Sequence, residues 1–142
     1  MPMNKNVMRF MSKSHVFWYQ LSGGMIGTKV SGMPVLLLTT TGRKSGRKRT
    51  TPLTHQRDGD NYVVIASNSG HNNHPTWYIN LRSNPDADIL IGREKTRVRA
   101  ETASDEDRER LYKQATDIFP GYAEYQQETK RKIPVVILRP VA

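Results

Sequence analysis

Six short segments of strand-like sequence, most of them separated by turns too short to hold a crossover helix, constrain this chain more than any other feature. PVLLLTTTG (34–42) has a triple-leucine centre, and RTTPLTHQ (49–56) carries Pro52, which belongs at an edge or a bulge. Arg57-Asp58-Gly59-Asp60 reads as a turn, and NYVVIAS (61–67) is apolar enough to be buried on both faces. ADILIG (87–92), the alternating KTRVRAE (95–101) and IPVVILRP (133–140) complete the set. At 142 residues the chain makes one domain, and the pattern predicts a small antiparallel barrel.

Helical signals flank and interrupt these strands. In residues 4–21, Val7, Phe10, Met11, Phe17, Trp18 and Leu21 fall near one face, with Lys5, Arg9 and Lys13 on another, and Gly23-Gly24 ends the pattern. HPTWYINLRSN (74–84) places Pro75 at a first helical position. Ser104 to Asp107 resembles a capping box, and GYAEYQQETKRK (121–132) starts a shorter helix after Pro120. The expected division is an N-terminal amphipathic helix (1–25) and a barrel domain (26–142). With no apolar run long enough to span a membrane and no signal-like leader, the expected location is the cytoplasm. The basic helix at 4–21 leaves two readings open: packing on its own domain, or a peripheral contact with the inner face of the cell membrane. Cysteine is absent, which excludes disulfides and thiol catalysis.

Charge is segregated. Residues 1–57 hold ten Lys or Arg and no acid, so the formal net charge of +9 arises there, against −1 for the rest. Half of those ten lie in one loop, GRKSGRKR (42–49). A Walker-type phosphate loop needs four residues between its glycines and a following helix, whereas Gly42 and Gly46 enclose three and a strand follows. Nucleic-acid readers interleave aromatics, and none occurs between Tyr19 and Tyr62. A small phosphate-bearing ligand suffices: three charge-assisted contacts contribute roughly 5–9 kcal/mol before ordering costs, and micromolar binding needs about 8. The donors are Arg43, Lys44 and Arg49, with hydroxyls from Ser45, Thr50 and Thr51.

The run from TTTGRKSGRKRTTPL through VVIASN and HPTWYINLRSNP, with FPGYAEYQ ahead of IPVVILRP, resembles the deazaflavin-dependent nitroreductase and quinone reductase family over about residues 30 to 140. The resemblance implies an α+β fold, a split β-barrel of the FMN-binding, pyridoxine-phosphate-oxidase-like kind, with about six strands and flanking helices. It implies coenzyme F420 as cofactor and hydride transfer from its reduced form to a quinone, with nitro-aromatic compounds as further acceptors. On this reading the anionic tail lies against Arg43, Lys44, Ser45 and Arg49, and Thr50, Thr51, Pro52, Leu53 and Thr54 run along the cofactor. Ile65, Ala66, Ser67 and Asn68, with Thr76, Trp77, Tyr78, Ile79 and Asn80, approach the ring. Tyr122 and Tyr125, three apart on one helix face, wall the substrate pocket and, with Ser67, are the candidate catalytic groups; Tyr122 also borders the cofactor. Two positions depart from the pattern, Asn68 where a lysine is expected and Phe119 where a tyrosine is expected, which favours quinones over nitroimidazoles.

Two other function classes compete with this one: an F420 or flavin binding protein without turnover, and a module for anionic membranes or nucleic acid. The histidines His55, His71 and His74 lack a paired carboxylate, so no metal site is expected. Ser67, His55 and Asp58 lack the nucleophile-elbow context of a hydrolase. Oligomeric state stays open between monomer and homodimer.

Overall fold

A computed structural model describes residues 29–30 and 33–141, the first pair by backbone alone, so the helix expected at 4–21 lies outside the described residues. Eight strands are present among them: β1 (Lys29–Val30), β2 (Met33–Thr41), β3 (Lys48–Thr54), β4 (Gln56–Asp58), β5 (Asn61–Ile65), β6 (Asp86–Ile91), β7 (Glu94–Thr102) and β8 (Val135–Pro140). Three helices accompany them: α1 (Thr76–Ser83), α2 (Asp105–Ile118) and α3 (Gly121–Glu128).

Every pairing is antiparallel, and the hydrogen-bonded path runs β3-β2-β6-β7-β8-β5-β4, with β1 also joined to β2. Its two ends, β3 and β4, are separated in sequence by His55 alone. One continuous strand therefore closes the barrel, giving its first half to β2 and its second half to β5. The sequence expectation of a single strand at 49–56 followed by a turn at 57–60 is corrected here. Gln56, Arg57 and Asp58 pair with Val63, Tyr62 and Asn61, and only Gly59 and Asp60 turn. Gly59 takes φ +61°, a conformation that L side chains adopt at a cost.

The pleat sorts side chains into two cores. Leu36, Leu38, Val64, Ala66, Ala87, Ile89, Val98, Val136 and Leu138 come from five strands and form one cluster, which makes it the barrel interior. Helix α1 adds Trp77, Tyr78 and Leu81 to it. The alternate residues Val63, Ile65, Val135 and Ile137 meet Leu111, Tyr112, Ala115 and Tyr122 of α2 and α3 on the outer face. The apolar run at 61–67 is thus covered on both faces, as its sequence predicts. On the opposite side, β6 and β7 face solvent and pair Asp86 with Arg99 and Asp88 with Lys95 and Arg97.

Helix boundaries follow local chemistry. Ser104 Oγ accepts from the amide of Asp107 at 3.3 Å, the expected cap. Pro75 is the N-cap of α1 with ψ 150°, one residue earlier than predicted, because its fixed φ suits either position but its backbone stays extended. Helix α3 stops at Glu128, short of the predicted 132, where Thr129 turns extended. Arg108, buried on α2, donates to the carbonyl of Ile133 and to Gln126 Oε1, tying α2, α3 and the approach to β8 together.

The corner residue His55 is 5% exposed and its Nδ1 has no hydrogen-bond partner. Burial, and then the Arg57 guanidinium, lower its pKa from 6.5 to about 4. The unfolded chain takes up a proton that the folded state resists, so this contribution to stability is complete above pH 6.5 and is lost as pH falls toward 4. Asp58, held below its ordinary range by Arg110, loses its own contribution only at lower pH. We predict that the urea midpoint falls between pH 6.5 and 4, and that His55→Phe flattens this slope. It does not abolish it, because His74 is also lowered by burial and contributes with the same sign.

Candidate functional site

The β4–β5 ladder begins at Asp58 opposite Asn61 and ends at Gln56 opposite Val63. Continued in register, it would set Thr54 against Ile65 and Pro52 against Ser67. It does not continue, because β3 turns away to pair along its whole length with β2. Two backbone edges are left facing a split: β3 on one side and the end of β5 with the following turn on the other. This explains how Pro52, which has no N–H to give, sits opposite Leu37 without breaking a ladder. The two segments that the sequence assigns to a cofactor border this split.

At the far end of β3 lies the basic loop. Gly42 N donates to Arg47 O at 2.7 Å and Gly46 N to Gly42 O at 2.9 Å, with Gly46 at φ +69°. Ser45 Oγ accepts from Arg47 N. Residues 43–49 are all exposed, and among the described residues no carboxylate pairs with Arg43, Lys44, Arg47 or Arg49. Lys48 Nζ donates to Thr41 Oγ1. A cluster of cations without counter-ions stays repulsive until an anion arrives.

Asn80 has a different place from the one expected. It is 3% exposed beneath the loop, its Nδ2 donating to Thr40 Oγ1 at 3.2 Å and its Oδ1 accepting from Arg43 N at 3.0 Å. Both ends of the amide are spent on α1-to-β2 and α1-to-loop contacts, so its side chain braces the loop. Trp77 and Tyr78 are likewise turned into the barrel core, with the Tyr78 hydroxyl against Thr102 Oγ1 at 2.9 Å. What this end of α1 still offers is backbone: the amides of Thr76 and Trp77 donate to no acceptor among the described residues, while those of Tyr78 and Ile79 reach Pro75 O.

Across the split, the backbone groups of Ala66 are already used: its N donates to Pro134 O and its O accepts from Arg131. The expectation that Ala66 brings backbone groups to a ring is corrected accordingly. Ile65, one residue earlier on the strand, faces the other way, and the Val135 carbonyl opposite it accepts from Ala103 instead, so the Ile65 N–H and C=O are left toward the split. Ser67 and Asn68 follow, the Asn68 side-chain amide donating to Asn73 O at 2.9 Å. Ser67 makes no side-chain cap bond, and Asn68 (φ 48°) and Ser69 (φ 51°) are left-handed without being glycine. Gly70, at φ +80°, is where α3 lands: a Cβ there would meet Glu128 and the Tyr125 backbone, one side-chain oxygen at 2.7 Å. That close approach sets Tyr125 beside the Ser67–Gly70 turn.

Tyr122 is buried and its hydroxyl lies 2.8 Å from Thr54 Oγ1, fastening α3 to β3. Burial raises its pKa, with the Thr54 bond opposing. Tyr112, pushed up to about 12 chiefly by burial, donates to the Tyr122 carbonyl. Phe119 packs edge-on against Tyr122 and close to Tyr125, filling an aromatic cluster. Tyr125 is half-buried and has no hydroxyl partner among the described residues. Of the weaker candidates, His55 is in the corner, Asp58 is bound by Arg110 at 3.0 and 3.1 Å, and Ser67 contacts neither. His74 Nδ1 is engaged by Arg131 at 3.1 Å. An open polar hollow of about 530 Å³ next to Arg131 is lined by none of the residues singled out from sequence.

Arg131 is the residue that sequence reasoning missed. It looks like part of a solvated Lys-Arg-Lys run, yet its guanidinium serves the loop bordering the split. We predict that Asn80→Ala, which strips two partners from under the basic loop, destabilises the fold by about 1–3 kcal/mol in chemical denaturation. It should also weaken anion binding by the loop, measured by titration with a phosphodiester.

The residues present fit a planar, anion-tailed cofactor: a basic loop lacking counter-ions, an unpaired strand edge, and two unpartnered amides at the start of α1. Comparison with known proteins agrees. The profile of the F420H(2)-dependent quinone reductase family matches residues 11–140. An F420H(2)-dependent quinone reductase of Mycobacterium tuberculosis is 42% identical over 124 residues, covering 84% of this chain and 83% of that protein. The solved structure of an F420-H2 dependent reductase (FDR-A) superposes with a TM-score of 0.69 at 40% identity, covering 75% and 94% of the two chains. A structure described as a domain-swapped dimer gives 0.71 at 37% identity, covering 89% and 94%. A structure titled as a pyridoxamine 5′-phosphate oxidase of Listeria innocua, 18% identical with a TM-score of 0.57 over 76% of this chain and 84% of that one, shares the fold. The barrel is therefore of the split, flavin-binding type, and the chain belongs to the F420H(2)-dependent quinone reductase family, oxidoreductases whose cofactor is coenzyme F420.

Proposed function

We propose that this chain oxidises reduced coenzyme F420 and delivers the hydride to a quinone in the split between β3 and the Ser67–Gly70 turn. The observation that carries the proposal is the split itself, unpaired along β3, with uncompensated cations at one end and unpartnered amides near the other. Arg43, Lys44 and Arg49 hold the anionic tail, with Ser45 as a hydroxyl donor. Thr50 to Thr54 line the cofactor along the open edge. Ser67, Asn68 and the amides of Thr76 and Trp77 orient the ring. When bound, the reduced deazaflavin supplies the hydride.

The chain supplies position, dryness and a proton path. Apolar packing behind Leu53 excludes water from the barrel side of the split, and the cluster around Ile65 does so on the outer face. The Ser67 and Tyr125 hydroxyls, uncommitted among the described residues, donate to the acceptor oxygen as negative charge develops there. Tyr122 acts from behind, through Thr54, to hold α3 and with it Tyr125. Nitro-aromatic compounds enter the same place as slower acceptors, since Asn68 and Phe119 remove two polar contacts.

Among the described residues no helix is long and apolar enough to cross a membrane. The basic helix expected at residues 4–21 makes this reductase a candidate for peripheral contact with the membrane where quinones reside, and the swapped relative supports testing for a homodimer.

The test is absorbance-monitored oxidation of reduced F420 with and without menadione. Menadione-dependent oxidation is expected. Quenched cofactor fluorescence without turnover would instead favour a carrier, and the absence of both signals would overturn the assignment. Lys44→Ala and Arg49→Ala are each expected to weaken cofactor binding about tenfold at low salt and less at high salt. Unchanged affinity in both would remove the loop from the tail site.

A further inference from the structure

The loop from Ala66 to Pro75 connects the end of β5 to the start of α1, so every ring-facing group proposed above hangs on its shape. The loop has little regular structure, one short turn, and two non-glycine residues in the left-handed region. Such conformations persist only where surrounding contacts over-determine them. One side chain supplies most of those contacts. Arg131 Nε donates to His71 O at 2.9 Å, Nη2 to Ser67 O at 2.7 Å, and Nη1 to Ala66 O at 3.1 Å. Nη1 also lies 3.1 Å from His74 Nδ1. No carboxylate pairs with this guanidinium among the described residues, so its role is to serve carbonyls and an imidazole rather than an anion. Its own backbone is anchored, its carbonyl accepting from Gln126 Nε2 and its amide donating to Thr129 Oγ1.

Resting on the reading of the split as the ring site, we propose that Arg131 is a positioning residue for the reductase, its guanidinium clamping the carbonyls of Ala66, Ser67 and His71 and His74 Nδ1 so that Ser67 and the first amides of α1 face the deazaflavin ring. The fork geometry matters. A guanidinium presents five donors in one plane, whereas a lysine ammonium offers three from a single point and cannot span carbonyls five residues apart. His74 takes part only as an acceptor, neutral at Nδ1. The charged and titratable groups facing it are Arg131, Arg82 and the Tyr78 ring. Protonation of His74 would set a donor against a donor and release one corner of the clamp. Burial and these two arginines hold its pKa below the usual histidine value, which keeps the clamp closed at neutral pH.

The experiment compares wild type, Arg131→Ala, Arg131→Lys and His74→Asn by two independent readouts. The first is hydrogen exchange without cofactor: amides of residues 66–74 should exchange about tenfold faster or more in both Arg131 variants, with β6 and β7 unchanged. The second is kinetics with reduced F420 and menadione. Arg131→Ala should raise KM for reduced F420 about tenfold to a hundredfold while leaving the salt slope of binding intact, because the tail contacts are elsewhere. Millimolar guanidinium should restore it partly, and Arg131→Lys should not. The acid limb of the wild-type profile should vanish in His74→Asn, which keeps an acceptor but cannot titrate. Loop exchange unchanged in both Arg131 variants would overturn the clamp. Faster loop exchange with unchanged KM would overturn its role in seating the ring. A wild type that neither binds nor oxidises reduced F420 would sink the functional reading instead, with exchange still deciding the clamp.

Discussion

The barrel depends on one strand that changes partner at one residue. Lys48 to Thr54 belong to β2, Gln56 to Asp58 belong to β5, and His55 stands between them, buried with an unpartnered ring nitrogen. A ring of strands usually closes by a ladder of hydrogen bonds. Here closure is a peptide backbone, and the ladder that would have sealed the gap is given up. On the function proposed above, the gap is where the cofactor lies. A fully paired β3 would have no free edge to lay along a cofactor, and Pro52 could not occupy it.

A site bordered by unpaired edges needs support from elsewhere, and the support is polar and buried. Asn80 holds the basic loop from beneath, Arg131 holds the opposite loop, and the Thr54–Tyr122 pair ties the two sides through α3. Gly70 lets α3 come close enough to contribute Tyr125. Near the split the Ser67 and Tyr125 hydroxyls stay without a partner among the described residues, whereas the side chains of Thr50, Thr54 and Asn68 are held by Thr39, Tyr122 and Asn73.

Much of this was legible beforehand. Strand positions followed from apolar pattern, and the cap at Ser104 from residue type. The basic loop declared itself by charge, since its five cations have no acid among them or anywhere before Asp58, where an ordinary surface mixes its signs. What stayed hidden was long-range. The split of 49–58 between two partners leaves no local mark, because both halves read as strand. Arg131 and Asn80 act through contacts 57 to 65 and 37 to 40 residues away, respectively. Nothing in a Lys-Arg-Lys run or a helical asparagine announces such partners. Trp77 could have faced either way by sequence, and the barrel interior claimed it because an indole gains more from burial than from a wet cleft.

The shared strand also dictates where the chain tolerates being opened. Gly59 and Asp60 form a tight turn whose flanking residues remain paired across Asp58 and Asn61. New termini placed there would leave both neighbouring ladders intact. A break at His55 is of another kind: it would turn a closed ring into a ribbon, with β3 terminating one end and β4 the other. Each naked edge would then be a template for pairing with another chain. For circular permutation or insertion of a reporter, positions four residues apart thus differ between a harmless join and the loss of the barrel's topology.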